Sequence, residues 1–282
     1  MKSIAVLLTV YNRKETTIKS LYSLYEAMRE VDSLRFDIYM TNDGCSDGTE
    51  IEVHKIFPNI NIINGDGTLF WGGGMNVSWQ TAKSTKKYDY YIWFNDDAVL
   101  FKNAIKILFE TTCLINDIGI VTGAFMDEKG EVSYGGRTSK NYLIKPNGNP
   151  QEVFFMNGNL VLIPNEIVEK IGIIDSIFKH SLGDWDYGCR AVKAGFKVVL
   201  STNFVGNTNR HDKDLTMYAN GKISIGKRFS YLYSIKNSPI ICFRFDLRHL
   251  GLFTAIKKFL LFNLYALFPV VFKLRNRFKI LL

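Results

Sequence analysis

The 282-residue chain is 47% hydrophobic and 22% charged, with 35 Lys and Arg against 27 Asp and Glu, enough apolar material for a large core and too much for a disordered chain. Cys45, Cys113, Cys189 and Cys242 form no Cys-x-x-Cys pair and no disulfide framework, which excludes a disulfide scaffold and suits a reducing, cytoplasmic compartment. The net charge of +8 is uneven: from Leu215 onward 12 Lys and Arg face one acid, Asp246, while the preceding residues are mildly acidic, a polarity that points to an anionic surface.

In chain order, Ile4 to Thr9 is a branched apolar run ending on Tyr11-Asn12-Arg13 with no small-residue cleavage site, so it reads as a strand and not a signal peptide. A helical pattern follows from about Glu15 to Arg29. Phe36 to Thr41 is a second strand. It leads into Asn42-Asp43-Gly44-Cys45-Ser46-Asp47-Gly48-Thr49, whose glycines and short polar side chains make a loop entering a helix. A third strand, Ile60 to Ile63, precedes a glycine-rich segment containing Trp71-Gly72-Gly73-Gly74-Met75-Asn76. Three consecutive glycines lack the spacing of a dinucleotide-binding turn. They are expected in a loop ahead of the next helix, either facing a ligand or making a tight turn.

Tyr90 to Phe94 is an aromatic-rich buried strand that stops on Asn95-Asp96-Asp97. Two adjacent carboxylates at the tip of a low-dielectric strand repel one another unless a cation or donor faces them. Oxygen ligands favour a hard divalent ion, Mg²⁺ or Mn²⁺; the alternative is that the acids cap a helix expected from about Phe101. Strands alternating with helices up to about residue 115 predict a doubly wound, mostly parallel, Rossmann-like α/β sheet with ligands at the carboxyl ends of its strands.

Beyond residue 118 the pattern changes. Gly119 to Phe125 and Glu131 to Gly136 read as strands, Thr138 to Pro150 as an irregular acceptor-side loop, and Val153 to Ile163 as one strand containing Asn157-Gly158-Asn159. Asn165 to Ile171 is a short helix. The segment from Phe178 through Gly183-Asp184-Trp185-Asp186-Tyr187-Gly188-Cys189-Arg190 runs into a helix ending at Gly195, and Phe196 to Leu200 is a strand.

The ordered set Thr9-Val10-Tyr11-Asn12-Arg13, Asn42 to Thr49, Asn95-Asp96-Asp97, Asn157-Gly158-Asn159 and Gly183 to Arg190 resembles family 2 inverting glycosyltransferases of the GT-A fold, bacterial polysaccharide and rhamnosyltransferase-like members above all. The resemblance implies a transferase domain over residues 1–210, with a nucleotide-binding half to about 115 and an acceptor half beyond it. It implies a UDP- or dTDP-sugar donor and a hydroxyl acceptor on a glycan or a polyprenyl-diphosphate lipid. Thr9, Tyr11, Asn12 and Arg13 would line the base and ribose, and Asp43 would accept the base N3–H or else hold its own loop in an Asx-turn. Trp71, Gly74, Asn76, Asn157, Trp185, Asp186 and His180 would surround the donor sugar and acceptor, His180 having a structural role as its alternative.

The family's Asp-x-Asp metal motif falls on Asn95-Asp96-Asp97 and departs from it at Asn95. The resemblance makes Asp97 the metal ligand, His211 a candidate second one with an exposed loop histidine as the alternative, and places Asp96 at the ribose or sugar. Its Glu-Asp motif falls on Gly183-Asp184, so the Glu is missing and Asp184 is the remaining base for the acceptor hydroxyl. Asp184 is equally placed to cap its helix, and Asp186 and Arg190 are spaced for an i, i+4 ion pair. Two other readings stand beside this one. A sugar-1-phosphate nucleotidyltransferase would carry a basic glycine-rich loop after the first strand, where this chain has Thr9 to Arg13; a degenerate carbohydrate-binding or scaffold subunit would explain the loss of acids at Asn95 and Gly183.

Residues 211–282 form a basic, apolar extension. The uninterrupted apolar part, Phe259 to Phe272, is shorter than the roughly 20 residues a spanning helix needs. An in-plane amphipathic helix on an anionic membrane, peripheral on the inner face, fits the aromatic and leucine spacing better than nucleic acid does. The alternative is a helix packed on the domain or on a second subunit.

Overall fold

A computed structural model describes residues 1–209, 216–236 and 238–278. His211 and Lys279 lie outside the described residues. The chain divides into two compact units, the first Met1–Lys179 with Gly183–Arg210 and the second His180–Leu182 with His211–Leu282.

The first unit is built on β1 (Lys2–Val10), α1 (Lys14–Arg29), β2 (Leu34–Asn42), α2 (Thr49–Ile56), β3 (Asn61–Asn64), α3 (Phe70–Thr85) and β4 (Tyr90–Phe94). After these come β5 (Val99–Leu100), α4 (Ala104–Cys113), β6 (Gly119–Met126), β7 (Val132–Tyr134), β8 (Gly136–Arg137), β9 (Gln151–Glu152), β10 (Phe155–Met156), β11 (Leu160–Pro164), α5 (Asn165–Ile171), α6 (Gly183–Lys193) and β12 (Lys197–Asn207). The main sheet runs β3-β2-β1-β4-β11-β6-β12-β5. β1 pairs in parallel with β2 and β4, and β2 with β3; β11 is antiparallel to both β4 and β6, β12 again runs parallel to β6, and the edge strand β5 is antiparallel to β12.

Alternation along β1 sends Ile4, Val6, Leu8 and Val10 to a face covered by α1 and α4, through Leu21, Leu24, Ile105 and Leu108. Ala5 and Leu7 point to the other face, where Met75, Trp79 and Ala82 of α3 pack with Tyr187 and Ala191 of α6. Both faces are covered, which is why β1 and β4 read as continuous apolar runs and not as alternating ones. This is the mostly parallel α/β sheet of the GT-A fold.

Four local expectations change. Gly72 to Gly74 lie inside α3 and are buried, not in a loop ahead of it. The helix expected from Phe101 begins at Ala104, after the short β5. Val153 to Ile163 is not one strand: it breaks into β10 and β11 around the turn 157–159, because its two parts pair with different partners, β8 and β4. β12 runs to Asn207, well past Leu200, and takes irregular steps in register along β6.

The second unit contains α7 (Ile225–Leu232), α8 (Pro239–His249), α9 (Leu252–Leu267) and α10 (Pro269–Phe278). Tyr218, Ala219, Leu232, Tyr265 and Ala266 form its buried core, with Phe229, Leu261, Phe262, Val271 and Phe272 against them. The apolar stretch Phe259 to Phe272 is divided between α9 and α10 at Phe268-Pro269, since a proline opens a helix more readily than it continues one. Among the described residues no helix is long and apolar enough to cross a membrane.

Candidate active site

The loops after β1, β2, β3 and β4 meet at the carboxyl edge of the parallel strands. Asn12, at φ 48°, accepts on its side-chain oxygen from the Ser46 N–H at 2.8 Å, and the Lys14 N–H donates to Asp47 at 2.9 Å. These bonds stitch the first two loops together. Tyr11 is exposed beside them. Thr9 is buried, its hydroxyl donating weakly to the Trp71 carbonyl at 3.4 Å.

Arg13 reaches across to the tip of β4. One guanidinium nitrogen lies 2.5 Å from Asp96 and the other 2.7 Å from Asp97. The cation demanded by two adjacent acids is therefore supplied by the protein, and Arg13 stands at the acids and not beside the base. Asp96 is buried, also accepts from Thr17 at 3.2 Å, and is pushed up to about 7 by desolvation and by the Asp97 charge, against the pull of Arg13. Asp97 is more exposed and borders a cleft of about 840 Å³. Among the described residues no three His, Cys, Asp or Glu side chains form a metal-ligating group. The pair still fits a hard cation in its donor chemistry, since it offers carboxylate oxygens and Asp97 borders the cleft.

Asp43 has other work than the base. Its carboxylate accepts from the N–H groups of Gly67 at 2.9 Å, Leu69 at 3.3 Å and Phe70 at 2.8 Å, and it is 2% exposed. It thus serves orphan donors at the start of α3 and holds Phe70 at φ 56°, a conformation costly for a bulky residue. These partners, on the loop 65–70, are not those of an Asx-turn within Asp43's own loop.

The glycines of α3 are packing residues. A Cβ on Gly74 would lie 2.3 Å from Thr9, and one on Gly72 would lie 2.1 Å from the Phe178 carbonyl oxygen; the Gly72 N–H donates to the Lys179 carbonyl at 2.6 Å. Gly74 thus faces Thr9. Asn76 is likewise buried and donates to the Ile174 carbonyl at 2.6 Å. Asp186 is fully buried in the ion pair with Arg190 at 2.8 Å.

A second cluster, separate from the residues that line that cleft, is Trp71, Asn95, the turn Asn157-Gly158-Asn159, Asp184 and Trp185. Trp71 Nε1 donates to the Asn95 side-chain oxygen at 2.7 Å. Gly158 abuts the indole so closely that a Cβ there would lie 2.5 Å from it. Asp184, in the first turn of α6, accepts from the Gly158 N–H at 3.1 Å and the Trp185 N–H at 2.9 Å, so the helix entry and the turn 157–159 share one carboxyl group. Burial pushes Asp184 up to about 6, against those two N–H groups and the Asn157 side chain, which favour its ionised form. Asn157 also accepts from Arg137 at 3.4 Å. Trp185 stacks on Phe155 at 4.0 Å, and His180 is half-buried and groups with the second unit.

Sequence reasoning missed Thr17, Arg137 and Phe155. Thr17 sits one turn beyond Arg13 on α1 and was findable from helical spacing. Arg137 and Phe155 come from short strands with no local signature.

Residues 5–172 match the family described as Glycosyl transferase family 2. No curated protein matches the chain by sequence. Among solved structures, S. aureus TarS is similar with a TM-score of 0.53 and 12% identity over 89% of this chain and 44% of TarS, so the chain spans less than half of that protein's length. TarS 1-349 in complex with UDP-GlcNAc gives 0.53 and 12% over 94% and 73%. The mannosyltransferase PcManGT from Pyrobaculum calidifontis, in complex with GDP-Man and Mn²⁺, gives 0.52 and 12% over 98% and 87%. At such identities these likenesses establish a common fold.

Proposed function

Since this chain belongs to glycosyl transferase family 2, we propose that it transfers a sugar, with inversion, from a UDP- or dTDP-sugar to a hydroxyl of a glycan or polyprenyl-diphosphate-linked acceptor in cell-surface polysaccharide synthesis. The observation that carries this reading is Asp184: a carboxyl group pushed up to about 6 by burial, between the indole-lined turn at Gly158 and the aromatic pair Trp185 and Phe155. A general base works best with a pKa near the operating pH.

In this reading the acceptor hydroxyl donates to the Asp184 oxygen and loses its proton there as the bond to the sugar carbon forms and the nucleoside diphosphate departs. Asn157 and the Gly158 and Trp185 N–H groups hold the carboxylate in place. Trp71, fixed by Asn95 and Gly158, forms the floor under the sugar. Tyr11 and Asn12 border the nucleotide, while Asp43 acts at one remove by holding the loop 65–70. Arg13 faces the diphosphate as well as the acids. A divalent Mn²⁺ or Mg²⁺ would be held by Asp97, with His211 as its candidate partner, and would supply positive charge to the leaving group. PcManGT in complex with GDP-Man and Mn²⁺ and TarS in complex with UDP-GlcNAc support a nucleotide-sugar donor.

The charge asymmetry of residues 211–282 supports a peripheral location on the anionic inner face of the cell membrane, where a lipid-linked acceptor would be found. A panel of UDP-, dTDP- and GDP-sugars, read by nucleotide release with and without acceptor lipid and Mn²⁺, tests the reading. Acceptor-dependent release from one UDP- or dTDP-sugar, lost in Asp184→Asn, is expected; no release from any donor overturns it.

A further inference from the structure

α9 turns an apolar face outward. At about 100° per residue, Phe253, Ile256, Leu260, Leu264 and Leu267 fall on one stripe, and all five are exposed, Phe253 at 81% and Leu260 at 61%. The opposite side, Ala255, Tyr265 and Ala266, is buried in the core of the second unit. A surface helix of a globular protein has the reverse arrangement, with its polar face outward. Leu252, Phe268, Val270 and Leu274 are exposed next to the stripe in sequence, making an apolar surface of the kind that marks an interaction site.

The charges around it say what covers it. Arg244, Arg248, Lys257 and Lys273 are exposed. Asp246, the one acid of the sequence from Thr216 onward, is buried and held by Lys258 at 2.8 Å. No carboxylate among these residues is left to meet a basic partner, and a second copy of this chain would set like charges against one another. We infer that the exposed stripe of α9, centred on Leu260 and Leu264, is the surface by which the protein lies on anionic lipid, its apolar side chains in the acyl boundary and the surrounding lysine and arginine side chains at the headgroups. This rests on the membrane location proposed above. It selects among the apolar residues of the tail: Leu261, Phe262, Tyr265, Val271 and Phe272 pack inward, and the contact falls to side chains interleaved with them and to Phe253 and Ile256 before them.

Full-length protein is sedimented with phosphatidylglycerol-containing and with purely phosphatidylcholine vesicles, at low and high salt. Wild type is expected to partition onto anionic vesicles at low salt. The double variant Leu260→Ser/Leu264→Ser is expected to lose at least tenfold in partitioning with an unchanged circular dichroism spectrum and unchanged nucleotide release. Lys257→Glu, which leaves the apolar stripe intact, is expected to weaken binding to anionic vesicles only. If wild type binds and the double variant binds equally well, the stripe is not the contact, and the membrane location survives without it. If wild type ignores anionic vesicles at low salt, both fall. A wild-type dimer in solution that the double variant abolishes, with no vesicle binding by either, assigns the stripe to a second copy and overturns the lipid contact.

Discussion

The indole Nε1 of Trp71 donates to the side-chain oxygen of Asn95 at 2.7 Å, which gives the neutral residue at the head of Asn95-Asp96-Asp97 a task that an amide performs without adding a third negative charge. A carboxylate would accept the same hydrogen bond. Asn95→Asp is therefore expected to keep Trp71 in place and to raise Mn²⁺ affinity, at a cost in stability without metal from repulsion with Asp96 and Asp97. Thermal denaturation with and without Mn²⁺ reads both effects. A variant as stable as wild type in chelator, with no gain from Mn²⁺, would contradict the charge argument.

Arg13→Gln tests the clamp from the other side. Removing the cation leaves buried Asp96 beside Asp97, and losing one partner of a buried pair costs about 3 kcal/mol. Asp96 is already raised to about 7, and without Arg13 it rises further. A folded-state pKa above the unfolded value favours the fold at low pH and loses that contribution as pH rises. The melting temperature of Arg13→Gln is thus expected to fall more at pH 8 than at pH 5.5, and Mn²⁺ at pH 8 is expected to recover more of it than in wild type.

The Asp184 carboxyl must be ionised to accept a proton. With its pKa pushed up to about 6, kcat is expected to climb tenfold per pH unit below that value and to level off above it. Asp184→Asn keeps the shape and most of the hydrogen bonding of the helix entry but has no basicity, so kcat falls about 100-fold or more and this limb of the profile disappears. Donor affinity, measured by calorimetry, stays within a few-fold. A retained limb in a folded Asp184→Asn protein would move the base to another carboxylate.

Asp43→Ala leaves the N–H groups of Gly67, Leu69 and Phe70 without their acceptor. The expected loss is about 2 kcal/mol or more, with nucleotide binding weakened equally in Mn²⁺ and in chelator because the loop itself is released. Equilibrium urea unfolding alongside calorimetry separates this from a direct base contact, which would lower affinity and leave stability untouched.

Much of this site was legible as chemistry and little of it as contact. The apolar runs of β1, β2 and β4 and the polar loops after them are short-range patterns, and they put Arg13, Asp43 and Asp97 at one sheet edge from sequence alone. Which of those side chains meet is decided across the sheet. Two adjacent acids asked for a cation, and the sequence reading supplied a divalent metal; only the approach of α1 to β4 brings Arg13 to them. The glycines of α3 read as a loop because helix propensity disfavours them. Their real constraint is the close passage of Thr9 on one side and of Phe178 on the other, and the acid serving the start of that helix, Asp43, lies on the loop after β2, distant in sequence. The break at 157–159 was hidden because the residues on either side of it, 153–156 and 160–163, are all apolar and uncharged.

The reversal of β11 has an evolutionary consequence. A parallel strand delivers its trailing loop to the ligand edge and needs a crossover helix to do so. A reversed strand delivers its leading loop to that edge, so the turn 157–159 reaches Trp71 and Asp184 from the beginning of a strand, preceded by the exposed stretch 138–150. Insertions or exchanges in that stretch leave the order of the nucleotide-side strands undisturbed. Transplanting it between homologues is a route to new acceptors on an inherited donor platform, and divergence within the family is expected to concentrate there.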